Sequence, residues 1–401
     1  MILDALVDPI QVWQEAERYL TLGARTYSRF SAIMEASRRY CPEVGDPTFL
    51  LESFWLTYDD GVYLSNGDSR LTSLYQQDDR FLFLVHPDTM SLPSLYCRRE
   101  LEYGDRGPSV EVVPSANVRT VFVRRIGDEL VEGHFVKLHF PRRISRFVRD
   151  LDRNSIEHQI SCTRRLANAG IPVLLDIGGG VLGSDRERAW GYIVRERTSR
   201  NASEVPFTIP LFSLYSRDTR RPDDPILLVQ LVSNARIAGF MEALVRTMVH
   251  LWVTAVEKAG CFVELHSQNT LLMFSDRADS WQVAYRDGDV YSDADTTRTA
   301  GQARADLSEC PVANGAFPRE QLLSLTYDTF LGHHALAYLA RAAYTGFGLE
   351  ESFISDVAKS AFKEAGASAL ELPPTCFTYD DRLYPNGECH LINTGMLPIW
   401  R

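Results

Sequence analysis

From Pro9 to Arg39 apolar residues recur at helical spacing: Val12, Ala16, Tyr19 and Leu20, then Phe30, Ile33 and Met34. The spacing predicts a helix, ended by Tyr40-Cys41-Pro42-Glu43, because proline cannot continue a helix and restricts the residue before it. The period then shortens. Phe49–Tyr58 and Phe81–Val85 read as strands separated by a polar stretch with Asn66-Gly67 as a turn signal, and the second run delivers His86-Pro87. Three β-rich runs follow, Val110–Val113, Val118–Arg124 and Glu132–Phe140, with Gly127-Asp128 turning the last two into a hairpin. Asn154–Ala169 reads as a helix stopped by Gly170, and Ile171–Asp176 and Trp190–Arg195 as strands. Gly178, Gly180 and Gly183 spell G-x-G-x-x-G, but a strand follows instead of a helix, so they read as a hairpin turn and not as a dinucleotide site. Thr198–Asp224 lacks periodicity and reads as a loop or mobile cover. Ile226–Lys258 is a long helix with Met241, Leu244, Met248, Leu251, Trp252 and Ala255 on its stripe, ended by Gly260. Leu271–Phe274 and Trp281–Tyr285 form a hairpin; Tyr291–Pro318 reads as loop, Glu320–Ala343 and Glu350–Glu364 as helices, and Thr375–Arg401 as an irregular tail.

Two polar clusters interrupt this pattern. Glu264-Leu265-His266-Ser267-Gln268-Asn269 precedes the Leu271–Phe274 strand and Arg286-Asp287 follows its partner, so both clusters lie at one end of a hairpin. Buried polar groups persist only when something satisfies them. Glu264, Asn269 and Asp287 offer the hard oxygens that Mg²⁺ accepts, with Gln268 and His266 as neutral hydrogen-bonding groups beside them. The set suits a nucleoside triphosphate held through its metal, and an Asn and an Asp meet Mg²⁺ in a comparable way in protein kinases. The other reading of each residue alone is a turn brace; His266 by itself would more often be a satisfied buried histidine. Lys137 sits among Phe135, Val136, Leu138 and Phe140. Pointing inward it needs an anionic partner such as phosphate; pointing outward it is the polar half of a strand. Arg142, Arg143, Arg146 and Arg149 form either a local basic pocket or a solvated face.

Composition narrows the class. The 401 residues allow a large core in two or three lobes, and 45% hydrophobic with 24% charged residues is ordinary for a soluble globular protein. A net charge of −11 argues against general nucleic-acid binding. Seven scattered cysteines without a C-x-x-C pair favour reduced thiols over a disulfide framework or zinc site. The N-terminus has no basic region typical of a signal peptide and no apolar run is long enough to span a bilayer, so the expected setting is cytoplasmic, without membrane or nucleic-acid partners.

In order along the chain, these landmarks resemble the siderophore synthetases that work without a nonribosomal peptide synthetase, the aerobactin-synthetase type. The E-x-H-x-Q-N motif is Glu264 to Asn269, and the following R-D is Arg286-Asp287. The S-x-R-T motif appears as Asn117-Val118-Arg119-Thr120 after Pro114, the K-L strand as Lys137-Leu138, the acid-binding Arg as Arg149, H-P-W-Q as His86-Pro87 and Y-x-P-E as Tyr40 to Glu43. Three departures stand out: Asn117 replaces the first serine, Asp88-Thr89 replaces W-Q, and Gly23 to Arg29 stands where the family has H-P-x-H-P-x-x-K.

The resemblance implies an α/β (α+β) hand-like fold with mixed, mainly antiparallel sheets and a distantly kinase-like nucleotide site. It places a reduced thumb-like region at 1–80, β-rich fingers at 81–225, and a palm with C-terminal helices at 226–401. It implies an ATP- and Mg²⁺-dependent ligase that adenylates a di- or tricarboxylic acid and joins it to an amine or hydroxyl, working as a dimer. Arg119, Lys137 and His266 would be catalytic; Asn117, Arg119, Thr120, Lys137 and Gln268 would hold the nucleotide; Arg149, His266 and His86 the acid; Glu264, Asn269 and Asp287 the metal. The competing readings are a phosphotransferase using the same metal site and a non-catalytic nucleotide-binding subunit.

Overall fold

The computed structural model describes residues 8–21, 30, 33–66, 70–145, 147–199, 201, 205–275, 280–293, 317–382 and 389–401. Arg146, Gly67 and Gly23 to Arg29, singled out above, lie outside the described residues, as does Cys310, one of the seven cysteines.

Helix α1 (Pro9–Tyr19) begins on Asp8, whose carboxylate accepts the Ile10 amide, with Pro9 preset for the first turn. It does not continue to Arg39. Ile33 to Glu35 are extended instead: Ile33 O accepts from Ser145 N at 2.8 Å, and Glu35 N donates to Arg143 O at 2.9 Å. Apolar spacing cannot register a strand partner 108 positions away. The central layer is a nine-stranded sheet. Its strands are β1 (Phe49–Thr57), β2 (Gly61–Ser65), β3 (Arg80–Val85), β4 (Asp105–Arg106), β5 (Val110–Pro114), β6 (Thr120–Ile126) and β7 (Glu129–Leu138), joined beyond the small β8 (Phe140–Ile144) and β9 (Phe147–Arg149) pair by β10 (Leu174–Leu182) and β11 (Trp190–Ser199). The order is β2-β10-β11-β7-β6-β5-β1-β3, with β4 also beside β1, and these pairings are antiparallel. The sheet therefore crosses residue 80, drawing β1 and β2 into one layer with the strands that follow.

Strand β10 is buried at all nine positions, as expected of a strand covered on both faces. Its glycines are strand residues and not the hairpin turn read from the sequence. A β-carbon on Gly179 would lie 2.0 Å from Tyr192 O, so β10 and β11 approach each other only because that carbon is missing. The turn comes later, at Gly183, whose φ of +104° suits glycine.

Short helices α2 (Pro87–Met90) and α3 (Arg98–Tyr103) precede α4 (Arg153–Asn168), which Asp152 caps and which packs Ile156 and Ile160 against Val181 and Ile193. The span read as a loop contains β12 (Phe207–Pro210) and a 3₁₀ turn at Leu211–Tyr215, because Phe207, Ile209, Leu211, Phe212 and Leu214 all enter the core. The long helix is likewise divided: α5 (Leu227–Leu231) is separated from α6 (Ile237–Thr254) by an exposed stretch with Ser233 and Asn234, residues that compete with the helical backbone for hydrogen bonds. A π turn extends α6 to Ala259, and Gly260 caps it at φ +59°. Beyond it, β13 (Cys261–Phe262) leads to the hairpin of β14 (Thr270–Phe274) and β15 (Trp281–Tyr285), which β12 extends to three strands, and β16 (Tyr291–Ser292) returns to β13.

The C-terminal helices run over Arg319–Phe347, with a π segment at Leu325–Leu336, and over Glu351–Glu364. The supposed tail then forms a hairpin of β17 (Phe377–Tyr379) and β18 (Leu391–Asn393), and Trp400 is buried. One hydrophobic cluster draws on residues from Val12 to Trp400. Among the described residues no helix is long and apolar enough to cross a membrane.

Candidate active site

Between the central sheet and the β14–β15 hairpin lies a cleft lined by Asn117, Arg119, Thr120 and Arg149 on one side and by Glu264, His266, Gln268, Asn269 and Asp287 on the other. Strand pairing builds the first wall. Thr120 on β6 is opposite Lys137 on β7, and Arg119 O accepts the Leu138 amide at 2.8 Å, which fixes the neighbouring cations in register. Asn117 shapes the turn into β6: its Oδ1 accepts from Arg119 N at 3.0 Å and Thr120 N at 2.8 Å.

Lys137 points inward. Only 2% of its side chain is exposed, and Nζ donates to Asp287 Oδ1 and to Gln159 Oε1 of α4, each at 2.8 Å. Burial pulls the ammonium below its ordinary pKa, while Asp287 and Asp289 oppose that shift. Arg119 is lowered to about 10 by burial and by nearby Arg149. Burial alone would raise the Asp287 carboxyl, but Lys137 and Arg195 hold it well below the usual range. Its φ of +96° is rare for a residue with a side chain.

Arg195 carries no sequence signal of its own. It is one charged position in a strand, and its partner is 19 residues earlier. From β11 its Nε and one terminal nitrogen reach Asp176 of β10 at 2.6 and 3.2 Å, and it also donates to Asp287 Oδ1 at 3.2 Å. A buried bidentate pair thus stands behind the hairpin's aspartate. Glu17 was equally invisible. This α1 carboxylate accepts from Arg286 and from Trp13 Nε1, and from Ala116 N at 2.8 Å, while Arg286 Nε donates to Gln268 O at 3.0 Å. Arg286 therefore ties α1 to the polar loop.

The polar loop turns on itself. His266 Nδ1 accepts the Gln268 amide at 3.2 Å, and His266 O accepts the Asn269 and Thr270 amides. Burial and nearby His334 lower the His266 imidazole to about 3, so it is neutral near pH 7. Glu264 shifts the other way, to about 8, through burial and the negative charges of Asp289 and Asp287. Among the described residues no group of three or more His, Cys, Asp or Glu side chains is set to hold a metal ion. The expected set supplies two carboxylates and one amide, which fits Mg²⁺ as it usually binds, through one or two carboxylates with water and phosphate oxygens completing the shell. The Lys137 and Arg195 bonds to Asp287 all fall on Oδ1 and none on Oδ2.

Arg149, the residue expected to bind the acid, lies on the cleft with its guanidinium 5.1 Å from the centre of the Phe147 ring. His86 does not join this lining. It is fully buried beside Tyr40, Phe49 and Phe140, its Nδ1 accepting the Asp88 amide at 3.0 Å as the cap of α2. Arg142, named with the basic run, donates to Asp88 O and Ser91 Oγ.

No family model matches the sequence, and no curated protein is detectably similar in sequence. Solved structures do match. ATP-bound aerobactin synthetase IucA from a hypervirulent pathotype of Klebsiella pneumoniae superposes with a TM-score of 0.68 at 17% identity, over 100% of this chain and 80% of that one. The petrobactin biosynthesis protein AsbB from Bacillus anthracis gives 0.71 at 14% identity, over 97% and 75%. Aerobactin synthetase IucC from the same Klebsiella pathotype gives 0.62 at 17% identity, over 91% and 72%. The fold of this chain, mixed α/β with mainly antiparallel sheets, is the fold of these siderophore synthetases.

Proposed function

We propose that this chain is a member of the siderophore-synthetase family that works without a nonribosomal peptide synthetase: a ligase that uses ATP to activate a carboxylic acid as its acyl-adenylate and passes the acyl group to an amine or hydroxyl. The observation that carries the reading is that Arg119 shares one cleft with Glu264, Asn269 and Asp287, with Lys137 of β7 bonded to Asp287 behind that lining, in the fold of a synthetase whose structure is ATP-bound.

A carboxylate attacking a phosphate brings two anions together, so the residues must first neutralise charge. Arg119 and Lys137 do so from the sheet side, with Thr120 and the Asn117 amide adding hydrogen bonds. For Lys137 this means exchanging its contact with Asp287 for a phosphate oxygen, with Arg195 still pairing Asp287. Mg²⁺, when bound through Glu264, Asn269 and Asp287, supplies positive charge along the phosphate chain. Neutral His266 and Gln268 hold the far side by hydrogen bonding, and Arg149 orients the acid. Positioning and electrostatics suffice; no covalent enzyme intermediate is required.

The test is mass-spectrometric product analysis of the purified chain with ATP, Mg²⁺, a panel of acids and hydroxylamine. AMP, pyrophosphate and a hydroxamate are expected. ADP with a phosphorylated acceptor would overturn the ligase assignment in favour of phosphoryl transfer, and ATP binding without any product would leave a nucleotide-binding subunit.

A further inference from the structure

Helix α4 stands behind the cleft and is tied to both of its sides. Toward the sheet, Gln159 Oε1 accepts from Lys137 Nζ at 2.8 Å. Toward the hairpin, His158 Nε2 is 2.6 Å from Val290 O. A β-carbon on Gly288 would lie 2.3 Å from Gln159 O, so the helix backbone is packed on the residue that follows Asp287. Further along the helix, Cys162 Sγ is 3.5 Å from Ser292 Oγ, and Arg165 donates to that oxygen at 2.6 Å. Residues three and four apart share one face of a helix, so His158, Gln159, Cys162 and Arg165 lie together along the segment from Gly288 to Ser292. Asp289, Val290 and Tyr291 of that segment line the cleft. One helix therefore sets where Lys137 and the chain after Asp287 stand relative to each other.

The chemistry of Gln159 matters as much as its place. Lys137 Nζ already faces two carboxylates, Asp287 Oδ1 at 2.8 Å and Asp289 Oδ2 at 3.6 Å. An ammonium has only donors to offer, and Gln159 answers one of them with an acceptor that carries no charge. Protein kinases hold their phosphate-binding lysine with a helix glutamate. Here the helix supplies an amide, and a third carboxylate around Nζ would repel the phosphates that the lysine is to meet. When Lys137 exchanges Asp287 for a phosphate oxygen, the bond to Gln159 is the one that stays.

We propose that Gln159 is a positioning residue for nucleotide activation, an inference that rests on the ATP-dependent reading of the cleft. It anchors the Lys137 ammonium once the contact with Asp287 is given up, and its neutrality leaves the positive charge of that ammonium to the phosphates.

The experiment compares the full chain with two variants. Gln159→Met keeps the length and loses the acceptor; Gln159→Glu keeps the shape and the acceptor and adds a charge. Each is assayed for AMP release with ATP, Mg²⁺, hydroxylamine and citrate or succinate, and titrated calorimetrically with a non-hydrolysable ATP analogue. Gln159→Met should lower kcat about 10-fold, the scale of one hydrogen bond to a charged group, with the analogue Kd within about threefold of the parent. Gln159→Glu should do the reverse, raising the analogue Kd about 10-fold while kcat at saturating ATP stays within about threefold. A residue that only supports the fold would move kcat and Kd alike in both variants, in step with a lower denaturant midpoint, and that result would overturn the inference. Parental kcat and Kd in both variants would also overturn it and leave the ligase standing. If Gln159→Met fails to fold, judged by circular dichroism, the analogue Kd of Gln159→Glu decides, and an unchanged value counts against the inference. No AMP from the parent, with the Gln159→Glu rise in Kd present, would overturn the ligase and uphold Gln159 at the nucleotide; no analogue binding by the parent would overturn both.

Discussion

At Lys137 the ammonium is buried and has two partners at 2.8 Å, Gln159 and Asp287. Lys137→Met keeps the volume and removes the charge, and pyrophosphate release should fall by about 10²–10³-fold, the usual cost of one transition-state donor; full activity would remove Lys137 from the chemistry. Arg195 makes a different prediction. Arg195→Met strands Asp176, a fully buried carboxylate, and should cost about 3–5 kcal/mol in denaturant unfolding. Arg195→Met with Asp176→Leu should recover part of that loss, since an apolar pair replaces a broken ion pair. Residues that carry a local motif were legible in the sequence: Arg119, Thr120 and members of the two polar clusters line one cleft, and Lys137 is bonded to Asp287 behind it. Arg195, Asp176, Gln159 and Glu17 were not, because each acts through a partner that only the fold supplies, 269 positions away for Glu17 and Arg286. His86 shows the reverse error. Its motif match suggested the acid site, while its aromatic neighbours and its bond to Asp88 N hold it in the core.

Elements were legible where one face alone decides them. The alternation of β5, β6 and β7 and the Gly127-Asp128 turn appear where expected, and Gly127 takes φ +60° as the hairpin requires. Reading failed where a second chain segment decides: Ile33 to Glu35 leave the helical pattern to pair with β8, and the β10 glycines serve a neighbouring strand and not a turn. Gly179→Ala should therefore cost at least ~3 kcal/mol, from overpacking against a backbone that cannot yield, seen as a lower denaturation midpoint. If its stability matches the parent, β10 and β11 are not so closely apposed. Helix α1 makes a second test. Glu17→Ala leaves Arg286, Trp13 Nε1 and the Ala116 amide without their acceptor, so both stability and nucleotide affinity should drop; unchanged ATP affinity in a destabilised protein would limit Glu17 to a structural role.

For the molecule as a whole, buried histidines lower stability as the pH falls, and the Glu264 carboxyl, raised to about 8, opposes them down to its unfolded value. His139 is lowered to about 3 by burial and by Arg119, and its Nδ1 accepts the Leu151 amide; His86 is lowered to about 4, chiefly by burial. Unfolded histidine takes up its proton near pH 6.5. Between there and the folded values the unfolded chain binds more protons, so the stabilisation is intact above about pH 6.5 and is lost as pH falls toward 4 and then 3. Each group adds up to ~1.4 kcal/mol per pH unit within its window. Denaturant midpoints followed from pH 7 to 4 should show this slope, and His139→Gln should flatten it by one proton; an unchanged slope would mean that His139 protonates in the folded state.

The walls of the cleft come from opposite ends of the chain: Met34 on one side, Tyr379 and Cys389 on another, while Trp400 lies in the core that Val12 also enters. Synthesis proceeds from the N-terminus, so α1 and the sheet strands emerge long before the segment that closes over them. Until Tyr379, Cys389 and Trp400 have emerged, the nascent chain lacks one wall of the cleft and part of the apolar core. Arrest-peptide force measurements on chains of increasing length should therefore register final closure only once residues near 400 clear the ribosome, and the interval before that is when this protein most depends on chaperones.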